Sequence, residues 1–406
     1  MSYVLELNDV ELPLYRDTEL IHRSPAIAIV RDQGMVFGEQ AQRLSRLHPQ
    51  QTNQQYFSRL NADPLPDPVA KADNHADLVY LHLCELKPLI DGELILAVPG
   101  LWSADQLGVL LGIMHEAGIV VGGFVDSAVV VATTTTLPAE AYYLDIHLQR
   151  ACVTALTASD EVSRHNTDEV ATCGFASLLD GWVNVITDRF VQDTRFDPLH
   201  SAATEQQLYD QVYDWVNGEI GNEIAVEIIH EDQIRRVEVP KALLAEKAQQ
   251  RFKSLRDVLP GGAHVLLSSR SAKLPGLRSG LTDAGYATSV AAVGALANGC
   301  AKHIELIRSP VAELKLVTRL PHSRGKSLVI EPAELAPTHI LAANSAVPIV
   351  ENGSPLNFQH KKQQVWLLAQ EGVLVNGQSV THEILLNVGD EIVHGEQSYR
   401  LIIVEG

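Results

Sequence analysis

The sequence predicts an α/β protein followed by a small β-rich C-terminal module, and three observations carry that expectation. From Tyr3 to Ala301, strand-like and helix-like stretches alternate, the pattern of sheets covered by helices. Beyond roughly Ser309 the texture changes. Val311 to Gly406 alternates short β-type runs with turns such as Glu351-Asn352-Gly353 and Asn376-Gly377, and has little helical periodicity. Hydrophobic residues make up 46% and charged residues 20% of the 406, a globular balance that excludes wholesale disorder.

The elements follow in order. Tyr3 to Leu7 and Ala26 to Val30 read as strands, and Gly38 to His48 has apolar residues at helical spacing. A Pro/Asp-rich stretch, Ala62 to Asp73, interrupts the pattern before an amphipathic helix over Ala76 to Leu89. Glu93 to Val98 is a buried-type strand ended by Pro99-Gly100, after which Ser103 caps a helix that closes at Gly118. Strand Ile119 to Phe124, helix Ala128 to Thr133 and strand Tyr142 to Ile146 continue the alternation, and Ala151 to Leu156 pairs with the last across a short turn. Ala171 to Asn217 is mostly helical, Ile224 to Ile229 and Ile234 to Val239 form a hairpin, and Leu244, Ala248, Phe252 and Leu255 mark one helical face. Strand His264 to Leu267 follows.

Composition also limits function. With 31 Lys+Arg against 50 Asp+Glu the formal net charge is −19; such a surface repels phosphate backbones, and no basic run makes a local exception, so no nucleic-acid partner is expected. Cys84, Cys152, Cys173 and Cys300 form neither a C-x-x-C pair nor a disulfide framework, which points to a reducing, cytoplasmic compartment. The start MSYVLELNDVEL lacks a secretory pattern. The most apolar stretch, Leu107 to Ala132, carries His115, Glu116 and Asp126 and several glycines, so no membrane span is expected.

Three stretches together resemble the actin-like ATPase superfamily, specifically the nucleotide-binding domain of the DnaK-type heat-shock chaperones. SPAIAIVRDQGMVFGEQAQRLSRLHPQQTNQQYFSRL at Ser24 to Leu60 is similar to that family's strand, G-x-x-A helix and N-P-x-N-T passage. AVPGLWSADQLGVLLGIMHEAGIVVGGFVDSAVVVA at Ala97 to Ala132 is similar to its V-P-A to E-P-T-A-A segment. VLLSSRSAKLPGL at Val265 to Leu277, with SVAAVGALANGCA at Ser289 to Ala301, resembles its adenosine motif and returning helix. The resemblance implies a two-lobed, ribonuclease-H-like fold: lobe I over 1–135, lobe II over 136–309 with a helix returning to lobe I, and the β-rich module over 310–406. It also implies ATP with magnesium as the ancestral cofactor.

That chemistry needs backbone N–H groups wrapped around phosphates, and glycines allow the close approach. At the family's first phosphate loop, D-L-G-T-T, this chain has Glu6-Leu7-Asn8-Asp9-Val10. At the second, D-L-G-G-G-T, Asp145 is followed by Ile146-His147-Leu148-Gln149-Arg150. At the adenosine G-G-S, it has Ser268-Ser269-Arg270. Leu148 and Gln149 are expected to fill space that a phosphate needs. The family's first-lobe lysine falls near Phe57, Ser58 or Arg59, with only Arg59 as a cation, and its connecting glutamate is matched by Asp126 alone.

The candidates carried forward are therefore Glu6, Asp126 and Asp145 for catalysis; Asn8, Asp9, His147, Gln149, Arg150, Ser268, Ser269 and Arg270 for cofactor contact; and Asp145 for the metal. Each has a plainer reading. Asp145 can cap a turn, Arg150 can form a salt bridge, and Glu6 with Asp9 can be solvated charges. No zinc-type spacing and no G-x-S-x-G elbow occurs. Phosphoryl transfer depends on positioning and charge stabilisation by such loops, so the expectation is a pseudo-ATPase: a non-catalytic scaffold binding an unidentified protein partner, with no cofactor or only weak ATP or ADP with magnesium. The alternatives are an ATP-binding, chaperone-like ATPase using Glu6, Asp145 and Arg150 around Mg-ATP, and a small-molecule kinase on the same fold. The tail VLVNGQSVTHEILLNVGDEIVHGEQSYRLIIVEG at Val373 to Gly406 resembles the last strands of forkhead-associated domains, without their upstream phosphothreonine-binding G-R and S-x-x-H. Docking, or covering the second lobe, is the role expected of it.

Overall fold

The computed structural model describes residues 2–31, 34–69, 71–217, 221–309, 314–322, 337–342, 345–349, 356–361, 364–370, 372–376, 378–386, 390–395 and 397–402. The protein is mixed α/β and divides into two units, Met1–Arg324 and Gly325–Gly406.

Two six-stranded mixed sheets build the first unit. In the first sheet the order is Leu316–Val317, Val121–Asp126, Leu94–Val98, Tyr3–Glu6, Leu14–Arg16, Glu19–His22. Tyr3–Glu6 opens an antiparallel meander with the next two strands in the chain, and on its other side Leu94–Val98 and then Val121–Asp126 add in parallel. In the second sheet the order is Ala287–Val290, His264–Leu267, Glu140–Ile146, Ala151–Ala158, Glu161–Val170, Arg319–Pro321. Glu140–Ile146 again opens a meander, and His264–Leu267 and Ala287–Val290 again add in parallel on its other side. One plan is thus used twice. Parallel strands with both faces covered read as continuous apolar runs, and every residue of Leu94–Val98 is buried.

Local signals set the helices. Asn74 and Asp77 form a capping box at the start of His75–Leu86, and Ser103 and Gln106 form another at Ala104–Glu116. Gly118 takes φ of 68° just past the latter, where a side chain would be strained. Ala171 to Asn217 resolves into Phe175–Thr194 and Ala202–Asn217, and Leu244, Ala248, Phe252 and Leu255 are all buried on the face expected of them.

Three expectations change. The helix expected over Gly38 to His48 spans only Gly38–Gln42 and continues as turns. The Pro/Asp-rich stretch contains strand Pro64–Val69, paired with Ala72–Asn74. The segment assigned by sequence to the C-terminal module begins inside the first unit, because Leu316–Val317 extends the first sheet and Arg319–Pro321 the second.

The C-terminal unit is all β among its described residues, with one sheet of six strands and one of three sharing a core that includes Leu356, Val365, Leu367, Val373, Ile392 and Leu401. Asn376, at φ of 49°, braces this unit: its backbone N–H bonds the Glu391 carbonyl and its side chain bonds Asp390. The Glu351-Asn352-Gly353 turn, Gly377 and Gly389 lie outside the described residues. No helix among the described residues is long and apolar enough to cross a membrane.

Candidate functional site

The carboxyl ends of the two opening strands, at Glu6 and at Asp145, face each other between the sheets of the first unit. After Glu6 the chain turns tightly, with the Leu12 N–H bonding the Asn8 carbonyl at 2.7 Å, which aims Asn8 and Asp9 at the second sheet. The Asn8 Nδ2 donates to Asp145 Oδ2 at 2.7 Å and to the Ile146 carbonyl at 3.1 Å, while Asp9 Oδ1 accepts from the Leu148 N–H at 2.6 Å. All three polar side chains are buried. The loops that follow Glu6 and Asp145 are bonded to each other.

Arg270 completes the cluster. Its Nη2 lies 2.6 Å from Glu6 Oε1 and 3.9 Å from Asp145 Oδ2, and its Nη1 lies 3.1 Å from Glu11 Oε2. Ser268 Oγ donates to Asp145 Oδ1 at 2.5 Å, and Ser271 Oγ approaches the same oxygen at 3.2 Å while accepting from the Ile146 N–H. One guanidinium therefore meets three carboxylates, and a planar five-donor cation suits that task. Burial pushes the Glu6 carboxyl above its ordinary value against the pull of Arg270. Burial acts the same way on Asp145, yet Arg270 and His147 together hold that carboxyl below its ordinary value. Burial also disfavours a charged His147, but Cys152 and Asp9 raise its pKa well above the usual histidine range, consistent with His147 lying 3.5 Å from Asp9 and 3.8 Å from Asp145.

The second candidate loop is closed by its own backbone. The His147 N–H bonds the Arg150 carbonyl, and the first N–H groups of helix Phe175–Thr194, on Phe175 and Ala176, bond the carbonyls of His147 and Leu148 at 2.8 and 2.9 Å. A helix N-terminus is a ready anion site only while those donors are available. Gly174 permits this contact: a Cβ there would lie 2.3 Å from the Gln149 carbonyl carbon. Gly174→Ala is expected to destabilise the first unit by about 1–3 kcal/mol, as a forced overpacking; urea unfolding of the variant against the parent measures it.

The remaining candidates disperse. Leu148 is buried in the hydrophobic core with Phe175; an apolar side chain beside an apolar helix face is drawn inward. Gln149 Nε2 reaches the Gln54 carbonyl at 3.3 Å, and Arg150 pairs with Glu169 at 3.1 Å. Asp126 is fully buried, caps helix Ser127–Ala132 through the Ala128 and Val129 N–H groups, and meets Arg164 Nη1 at 2.8 Å. Burial raises its pKa although Arg164 opposes this. Phe57 is in the core, and Ser58 bonds the Gln55 carbonyl. Arg59 and Gln149 line one polar hollow, separate from the Arg270 cluster. Sequence reasoning missed Glu11 and Ser271, although the charge spacing Glu6-Glu11 and the run Ser268-Ser269-Arg270-Ser271 were visible signals.

Above Arg270 remains a cavity of about 460 Å³ lined by Glu6, Glu11, Arg23, Ser269, Lys273 and the Ala291–Leu296 turn, among others. Among the described residues, no group of three or more His, Cys, Asp or Glu side chains is arranged to hold a metal ion. Asp145 is surrounded by Asn8, Ser268 and Ser271 at hydrogen-bond distance and by Arg270 at 3.9 Å. No protein-family model matches the chain, and no curated protein matches it.

Proposed function

We propose that the first unit is a degenerate member of the actin-like ATPase superfamily, of the DnaK type, working as a non-catalytic scaffold that binds a protein partner without ATP. Two sheets built on one plan, with their opening strands meeting end to end, support the two-lobed reading. The observation that carries the non-catalytic reading is the seat of Arg270. A tethered cation sits among Glu6, Glu11 and Asp145, supplying part of the counter-charge that a bound metal supplies in a phosphate site. A triphosphate entering there would have to displace this ion pair and the Asn8 and Asp9 bonds between the loops.

The C-terminal unit, faintly similar to a forkhead-associated domain, is the proposed docking module. The runner-up is a chaperone-like ATPase, and the specific observation favouring it is the cavity beside Ser268 and Ser269, which Arg23, Arg270 and Lys273 line together with Glu6 and Glu11. Titration calorimetry with Mg-ATP and with ADP distinguishes the two. The scaffold reading expects no saturable heat and no nucleotide-dependent thermal shift. Micromolar binding abolished by Asp145→Ala would establish the runner-up in its place.

A further inference from the structure

A surface hairpin in the first unit has one sealed edge and one open edge. Its strands, Glu223–His230 and Gln233–Pro240, pair antiparallel along their whole length, with Ile229 opposite Ile234, Glu227 opposite Arg236 and Ala225 opposite Glu238. Ile224, Val226 and Ile228 face the core, while the alternating residues face solvent.

Helix Ala202–Asn217 seals the first strand. Gln207 and Gln211, one helical turn apart, each exchange two hydrogen bonds with its backbone: Gln207 with the N–H and carbonyl of Ile229, Gln211 with those of Glu227. Two side-chain amides thereby take the place of a third strand. These bonds also fix which way the backbone points. Glu227 and Ile229 direct their N–H and C=O groups away from the hairpin partner, so the residues opposite them, Arg236 and Ile234, do likewise, and Glu238 follows by alternation. These outward groups on Ile234, Arg236 and Glu238 have no hydrogen-bond partner among the described residues, and all three residues are exposed. An unsealed edge of this kind is a template for another strand.

We infer that this edge pairs antiparallel with the same strand of a second copy of the chain. Two-fold pairing requires the outward residues to face one another, which leaves two central registers. With Arg236 against its own image, like charges oppose. With the axis at Val237, Arg236 faces Glu238 of the other copy and Glu238 faces Arg236, so both ion pairs are complementary, and Ile234, 67% exposed, covers Pro240. Pro240 has no N–H, so this terminal pair contributes side-chain cover rather than a full ladder pair. The charge pattern selects the second register. Within one chain Arg236 already meets Glu227 and Glu238 at 3.3 Å, but through side chains that are more than half exposed; such pairs exchange partners at little cost. A single strand pair buries a small area and gives a weak, reversible dimer.

Sedimentation velocity over a concentration series of the full chain tests this. The parent is expected to show a monomer–dimer equilibrium, Arg236→Glu and Glu238→Arg are each expected to lose the dimer, and the double exchange to regain it by restoring opposite charges. Arg236→Pro deletes an outward N–H without touching the internal ladder and is also expected to lose the dimer. Circular dichroism verifies that each variant is folded, and hydrogen exchange at Arg236 and Glu238 should slow with rising concentration. A parent that stays monomeric throughout, a dimer indifferent to Arg236→Glu and Arg236→Pro, or a double exchange that fails to regain it overturns the inference.

Discussion

Arg270→Met is expected to destabilise the first unit by about 3–5 kcal/mol, the cost of removing one partner from a buried ion network. Methionine keeps much of the side-chain volume, so the loss is of charge rather than of packing. Glu6 would be left without a counter-charge, Glu11 with only Arg23 and Asp145 with only His147. Adding Glu6→Gln should recover part of the loss, because a neutral amide relieves the repulsion around Asp145; a double-mutant cycle measures that coupling. The pH dependence has a definite sign. Arg270 helps hold Asp145 below its ordinary pKa, so Asp145 contributes stability that is present above the unfolded value near 3.8 and lost as pH falls through the lower folded value. Without Arg270 that acid-side loss should flatten. A cost below about 1 kcal/mol, the size of an exposed salt bridge, would mean that the guanidinium does not hold the two loops together, and the scaffold reading would lose its main support.

The same cluster shows what a sequence can and cannot tell. Where burial and periodicity set the outcome, it was legible: the Ser103 cap, the hairpin around residues 224 to 239, and the face Leu244, Ala248, Phe252 and Leu255 are local patterns that packing reinforced. Strand Glu161–Val170 was not, because its exposed and half-buried positions carry Glu, Arg, Asn and Asp, and only pairing with Ala151–Ala158 makes it a strand. At the site, the candidates Glu6, Asn8, Asp9, Asp145, His147, Ser268 and Arg270 do converge, since they sit at strand ends that the topology brings together. Gln149, Arg150 and Asp126 satisfy other partners. Which side of a turn a long side chain leaves by depends on neighbours distant in sequence, such as Glu169 for Arg150 and Arg164 for Asp126.

A second large effect is expected at His82, which no site reading touches. The ring is fully buried, with Nε2 2.6 Å from Ser24 Oγ, Nδ1 2.9 Å from Tyr56 Oη, and Phe37 stacked on it at 5.2 Å. Burial, aided by nearby His22, pushes its pKa down to about 3. The native ring therefore stays neutral where the unfolded ring takes up a proton. This group does not favour unfolding above the unfolded value near 6.5, and it lowers stability progressively as pH falls from there towards about 3. With one pKa unit worth 1.36 kcal/mol, the full effect is on the order of 5 kcal/mol. His147 has the opposite sign: its raised pKa supplies stability below the unfolded value that is lost as pH rises through the folded one. His147 acts above the unfolded value and Asp145 below about 3.8, so His82 is isolated by difference. His82→Gln retains a donor and an acceptor but cannot titrate; it is expected to cost about 2–4 kcal/mol at neutral pH through lost packing and imperfect hydrogen bonds. Urea midpoints measured at successive pH values should then fall less steeply for the variant than for the parent between pH 6.5 and about 3. Parallel curves would show that the buried imidazole is not what makes this fold acid-sensitive.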